Sequence, residues 1–574
     1  MSLPPLANLF AACDPDPLSL AALERDLRTS GEFRSVSRPS LGWVVATSPL
    51  PGGEGSDGPL LGGVVEFVEG EDVVCDRLRE LCRLSDQAPE RLGQLPGDFG
   101  FIRLRSDGSA TVVRSCGGLV PFYLTRAGDR LAVSTRLGDL VRYLPDGPRL
   151  DPLVNAVWTS GWGLFPDGRT FLDNVSIVNR GCFAQLTPGR ITTNRYWDPR
   201  PRSLEPPTAA RAAEHAQGLR ALLLTKLARD LDPEGGNLLT LSGGVDSSSL
   251  AALAAGVLKR PLATWSLLPE PEELFRREMS YIEPLVRRLG VERTYVVRVR
   301  KETRLELLRA APPAVFHVIH PALCALPSLL VEGDVRVLFG GEFADEVCGS
   351  VFTFGDWARN TTLRQLVAGV RRGSLGSRFV LRWAKRRLLA LGRRHIVPFP
   401  SDLPPFIRSD LREEYRTWFA ARRQAAVGES VARRDLALHA EADGFVAMNW
   451  EAASALGVRR SFPFFNREVL ELAFECHPSE LVGPGTKKLL RAALRTDVPE
   501  ENLFRPDKGH WGGYLRSAEF EPTTPLLASL EGVVRPDWYP NPPPRLDYAD
   551  AAGLEQLGIF VQTLAARRRQ RALP

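Results

Sequence analysis

The sequence has no CxxC pair among its eight cysteines, which are scattered from Cys13 to Cys476. That pattern suits reduced thiols in a cytoplasmic protein better than a disulfide framework. It has no basic, apolar signal segment in its opening MSLPPLANLF, and no run near the roughly 20 apolar residues that a membrane crossing needs. It has no strong charge bias: 73 basic against 68 acidic residues leave +5, too little to argue for nucleic acid. Internal repeats and low-complexity tails are missing as well, apart from the proline-rich RPDWYPNPPPRL near the C-terminus. What remains is a chain of 574 residues, 44% hydrophobic and 25% charged, enough for two to four ordinary domains.

Up to about residue 200 the pattern is that of β-strands. FGFIRLRSDGSATVVRS reads as a hairpin around Asp107-Gly108, VPFYLTRAGDRLAVST as one around Gly128-Asp129, and SIVNRGCFAQLTPGRITTNRYW as one around Pro188-Gly189. WDPRPRSLEPPTAA is the linker candidate, ending at Thr208 as the N-cap of a long helix. Beyond it NLLTL, PLATWSL, RTYVVRV and VRVLFG alternate with helical stretches, including NREVLELAFECH and TKKLLRAALR, the grammar of a parallel sheet wrapped by helices. The expected boundaries are 1–200 and 201–574.

Between NLLT and AALAAGVLKR lies LSGGVDSSSL, residues 241–250, where a strand hands over to a helix. Unpaired N–H groups at a helix start make an anion site, glycines admit a phosphate, and serines add hydroxyl donors. A Walker A loop requires lysine, which this loop lacks. SGGVDS matches instead the pyrophosphate loop of enzymes that split ATP between its α and β phosphates. VRVLFGGEFADEVCGS is a second strand running into a polar loop, so Asp246 and Asp345 both fall at C-terminal strand ends, where α/β sheets bind ligands. Magnesium takes one or two carboxylates plus phosphate oxygens, which these aspartates and a triphosphate would supply.

These residues resemble the asparagine synthetase family, the glutamine-hydrolysing amide ligases, over most of the chain. The family's SGGxDSS stands here as Ser242 to Ser248, its SGEGADE as GGEFADE (Gly340 to Glu346), and its RxPFLD as RSFPFFN (Arg460 to Asn466). Its KxxLR stands as Lys487 to Arg491, and its RxxKxxF loop as RPDKGHW with Arg505 and Lys508. LPGDFGFIRL and GGLVPFY are similar to its glutaminase domain. The resemblance implies an α+β, sheet-rich glutaminase-like domain of the N-terminal-nucleophile type, followed by an α/β ATP-pyrophosphatase domain. It implies ATP and Mg2+ as cofactors. Leu241, Ser242, Gly243, Gly244, Asp246, Ser247, Ser248, Ser266, Gly340 and Gly341 would bind the nucleotide, with Leu239 to Leu241 and Thr264 to Leu267 framing adenine. Asp246 and Asp345 would hold the metal. Lys508, Glu342 and Asp345 would be the catalytic set, Lys508 offsetting phosphate charge and Glu342 orienting or deprotonating the amine. Glu342 reads equally well as a structural acid.

Departures from the family narrow the function. The family's glutaminase uses a cysteine after the initiator methionine, whereas this chain reads Met1-Ser2 and has no Asn-Gly element in its first hundred residues. The first domain is therefore expected to pack rather than hydrolyse glutamine, and the amine to come from the substrate. Lactam-forming relatives carry tyrosine where this chain has Glu342. The resemblance is then greatest to lasso peptide macrolactam synthetases, whose implied partners are a leader-cleaved precursor peptide, a leader peptidase and a leader-binding protein, with no nucleic acid. An amide ligase of another kind and a non-catalytic scaffold are the rival readings; Asn466 in place of the family aspartate and the displaced arginine before FPFFN keep the second open. His317 and His320 form an HxxH pair without further zinc ligands at matching spacing. Cys348 has no evident base partner. The acid-free stretch 364–395 reads as solvated helices, a nucleic-acid surface or a contact for peptide or protein.

Overall fold

The computed structural model describes residues 6–14, 16–30, 35–40, 43–49, 62–67, 84, 87–95, 98–104, 109–141, 143–144, 147–159, 168–187, 189–198, 208–299, 334–349, 363–371, 380–381, 383–384, 402–425, 440–481, 487–505 and 533. Lys508, His317, His320 and most of the basic stretch lie outside them.

The first part is built from eleven strands: β1 (Leu6–Cys13), β2 (Ser35–Ser40), β3 (Trp43–Pro49), β4 (Gly62–Phe67), β5 (Phe99–Leu104), β6 (Ala110–Arg114), β7 (Tyr123–Ala127), β8 (Arg130–Ser134), β9 (Val175–Ile177), β10 (Cys182–Thr187) and β11 (Arg190–Arg195). They run in the order β11-β10-β6-β5-β4-β1-β8-β7-β9, with β3 also on β1 and β2 on β3. All three hairpins read from the sequence pair antiparallel. Gly128 turns its hairpin in the left-handed region at φ 62°, as a two-residue connection demands.

Alternation along the strands sorts side chains between cores. Leu9, Ala11 and Cys13 of β1 enter one cluster with Leu131 and Val133 of β8, while Phe10 and Ala12 enter another with Ala132. On β5, Ile102 and Leu104 share the first cluster, and Phe99 and Phe101 face a third with Leu92. The first cluster thus gathers residues of β1, β5, β6 and β8, and it continues without a break into the C-terminal half through Leu219, Leu223 and Leu227. Those leucines stand four residues apart on the helix Ala209–Asp230, whose N-cap is Thr208, its side chain accepting from the Arg211 N–H.

Five strands form the second sheet: β12 (Asn237–Thr240), β13 (Leu262–Pro269), β14 (Arg293–Val299), β15 (Val337–Phe339) and β16 (Arg459–Ser461), in the order β14-β13-β12-β15-β16. Every pairing is parallel. β16 shares only Arg460 and Ser461 with RSFPFFN and has no apolar residue, so no period of two marks it. No described helix is long and apolar enough to cross a membrane.

A buried ion pair joins the two halves. Lys226 Nζ lies 2.5 Å from Asp98 Oδ2, in the LPGDFGF element, and 2.9 Å from Asp230 Oδ2. Asp230 in turn accepts from Ser461 Oγ at 2.5 Å, so the chain of contacts runs from Asp98, just before β5, to β16.

Candidate active site

The loop Leu241 to Gly244 leaves the C-terminal end of β12 and opens the helix Val245–Ala251. Leu241 is clamped to the neighbouring strand: its N–H donates to Trp265 O at 2.8 Å, and its carbonyl accepts from Ser266 Oγ at 2.7 Å. The Ser247 hydroxyl accepts from Ser242 N–H and contacts Ser242 Oγ, both at 3.1 Å. Gly243 sits at φ 68°, and a Cβ there would lie 2.8 Å from Tyr281 Cβ, so two separate constraints demand glycine. Ser248 is fully buried, and its hydroxyl has no partner among the described residues.

The loop after β15 presses against this one. A Cβ on Gly341 would lie 2.8 Å from Asp246 Cβ. That approach brings the aspartates together on one cation: Lys487 Nζ bonds Asp246 Oδ2 and stands 3.0 Å from Asp345 Oδ1. Burial opposes the charge on Lys487, yet Asp246 and Asp345 hold its pKa above the ordinary lysine value. Asp246 keeps a second buried oxygen, Oδ1, with no partner among the described residues, and the Asp345 side chain is 43% exposed. Hard oxygen donors so placed fit a magnesium ion. Glu346, beside them, is pushed up by burial and by the neighbouring Asp345 and Asp246 charges.

Glu342 does not join that pair. Its Oε1 accepts from Arg460 NH2 at 2.6 Å, and Arg460 is buried. The displaced arginine of RSFPFFN therefore engages the acidic loop, while Ser461 turns to Asp230, as alternation on a strand requires. Asn466 keeps an N-cap: its Oδ1 accepts from Val469 N–H at 3.0 Å, a role aspartate would fill equally. Cys348 is fully buried and its thiol is pushed well up, which removes it as a nucleophile.

Three residues beyond the predicted set complete the geometry. Lys487 is the first residue of the KKLLR segment, and that match was its only signal. Asn502 Nδ2 donates to Gly243 O and Tyr281 O at 3.1 and 2.9 Å. Arg505 donates to Ser242 O and pairs with buried Glu278 at 2.8 Å. Only tertiary packing brings Asn502 to the loop, so no local pattern marks it.

A serine-glycine anion loop and a carboxylate pair at the open ends of a parallel sheet suit an enzyme that works on a nucleotide. The asparagine synthase family matches residues 218–527, more than half of the chain. The chain belongs to that family and is an ATP-dependent ligase that forms amide bonds. No curated protein matches it. Among solved structures it is similar to the NMN synthetase from Francisella tularensis, at 17% identity over 24% of this chain and 57% of that one, with a TM-score of 0.18. A U34-tRNA thiolase from Methanococcus maripaludis gives 13% identity over 38% and 77%, TM-score 0.19. Glutamine phosphoribosylpyrophosphate amidotransferase from B. subtilis gives 11% over 50% and 60%, TM-score 0.15. These three likenesses say nothing about chemistry.

Proposed function

We propose that the protein is a lasso peptide cyclase. It activates the side-chain carboxylate of an Asp or Glu in a leader-cleaved core peptide. The carboxylate oxygen attacks the α-phosphorus of ATP, the bond to the β-phosphate breaks, and pyrophosphate leaves. The peptide's own α-amine then attacks the acyl carbon, AMP departs, and the amine's proton is lost as the isopeptide bond closes. Holding amine and acyl group together in one folded peptide supplies several kcal/mol of barrier reduction.

The residues divide the work. Ser242, Gly243, Gly244, Ser247 and Ser248 receive the pyrophosphate. Asp246 and Asp345 would hold Mg2+, which supplies charge neutralisation on the phosphates when bound. Lys487, already between these carboxylates, adds a cation where phosphate charge builds up, and Lys508 is a second such cation. Glu342, fixed by Arg460, orients the attacking amine.

The observation that carries the reading is the state of the described thiols in the sheet-rich half. Cys13, Cys116 and Cys182 are all buried, and burial raises Cys13 to about 11. Such thiols are poor nucleophiles for releasing ammonia from glutamine, which favours an amine delivered by the substrate. The test supplies Mg-ATP, a candidate core peptide and its leader peptidase, and follows pyrophosphate and peptide mass together. Pyrophosphate with loss of one water from the peptide is expected, and Asp246→Ala should abolish both. Turnover with aspartate and ammonium instead would move the protein to the small-molecule amide ligases.

A further inference from the structure

Phe343 occupies a backbone conformation that bulky residues rarely adopt. Its φ is 66°, and it stands immediately before the helix Ala344–Cys348, two residues ahead of Asp345. The similar family segment has glycine at this place, which takes such a turn freely. Here something must hold the turn, because a side chain in the left-handed region favours relaxation to another backbone shape.

The ring of Phe343 shows what holds it. It stacks on Phe465 with centroids 4.0 Å apart and planes 21° from parallel. It meets Phe445 and Phe462 edge-on at 5.5 and 5.3 Å. The guanidinium of Arg180, from the sheet-rich half, lies 4.2 Å from the Phe465 centroid. Phe465 is buried, so it cannot yield without cost to its neighbours. The turn so fixed carries Asp345 to within 3.0 Å of Lys487 Nζ.

We propose that Phe343 is a positioning residue for the magnesium–nucleotide site. Its stack on Phe465 enforces a left-handed turn that glycine would adopt unaided, and that turn aims Asp345. The inference rests on the reading that Asp246 and Asp345 hold the magnesium nucleotide, and it is independent of the peptide substrate.

The test measures binding of a non-hydrolysable ATP analogue to the full-length chain, with and without Mg2+, by calorimetry. Phe343→Ala keeps the unfavourable φ and removes the ring, so affinity in Mg2+ should fall about tenfold. Phe343→Gly should stay within about threefold of wild type. Phe465→Ala should weaken magnesium-dependent binding about tenfold in the wild-type background and leave the Phe343→Gly background nearly unchanged, since glycine no longer needs the stack. A merely structural Phe465 would cost the same factor in both backgrounds, and that result would overturn the proposal, as would wild-type affinity in Phe343→Ala. Should Phe343→Ala not fold, the comparison of Phe465→Ala in the wild-type and Phe343→Gly backgrounds still decides. Binding to the wild-type chain without any magnesium dependence would instead sink the metal-site reading and this proposal with it.

Discussion

Lys487 is the residue on which the site turns. It starts the helix Lys488–Ala493 from a left-handed backbone position, φ 60°, and so points back across the sheet ends instead of along its own helix. Its ammonium neutralises two carboxylates that would otherwise repel, and it is already desolvated before any phosphate arrives, so its charge is worth more there than in water. Lys487→Met should lower the rate of pyrophosphate formation by about 10²-fold or more, the scale seen when a preorganised charge-stabilising group is removed. The parallel variant Lys508→Met separates the two cations. A full rate in Lys487→Met, with loss confined to Lys508→Met, would reduce Lys487 to a structural spacer between the aspartates.

At the scale of elements, the anion loop is held from behind. Among the described residues, the carbonyls of Ser242 and Gly243 are tied from outside SGGVDSS, Gly243 by Asn502 in the last described helix, Glu500–Leu503, and Ser242 by Arg505 just beyond it. Asn502 is fully buried and bridges Gly243 O to Tyr281 O, so it couples the loop to the helix Glu272–Leu289. Asn502→Ala leaves two buried carbonyls without that donor, which costs about 1–3 kcal/mol. The loss falls on the loop, so the expected result is a rise in KM for ATP of about tenfold with a smaller change in kcat. A variant with unchanged KM and a lowered melting temperature would show that the clasp serves the fold alone. The strands, the loop, both aspartates and the Thr208 cap were legible because each depends on local spacing. β16 and Asn502 were not, because one is a three-residue edge pairing and the other a contact across more than 200 residues of chain. Glu342 was legible as part of the acidic loop, but its buried partner Arg460 comes from β16, far along the chain.

At the scale of the whole molecule, the sheet-rich half is bound to the synthetase half by buried charge, and one of those groups makes the union sensitive to pH. Glu451, on the helix Ala440–Ala455, is 3% exposed and accepts from Leu137 N–H at 3.4 Å across the boundary. Burial pushes its carboxyl up to about 7, against the lowering effect of Tyr123 and Arg136. In the unfolded chain the same group titrates near its ordinary 4.5. Between these values the folded protein binds the extra proton, so stability is fully present below about 4.5 and is lost as pH rises through about 7. Glu451→Gln keeps the acceptor and removes the titration. Its melting temperature should gain on wild type steadily from pH 5 to pH 8, by an amount on the order of 3 kcal/mol in stability at the upper end. Melting curves of both proteins across that range check it: a gap that stays constant with pH would mean that water reaches Glu451 and that the boundary opens more readily than its packing implies.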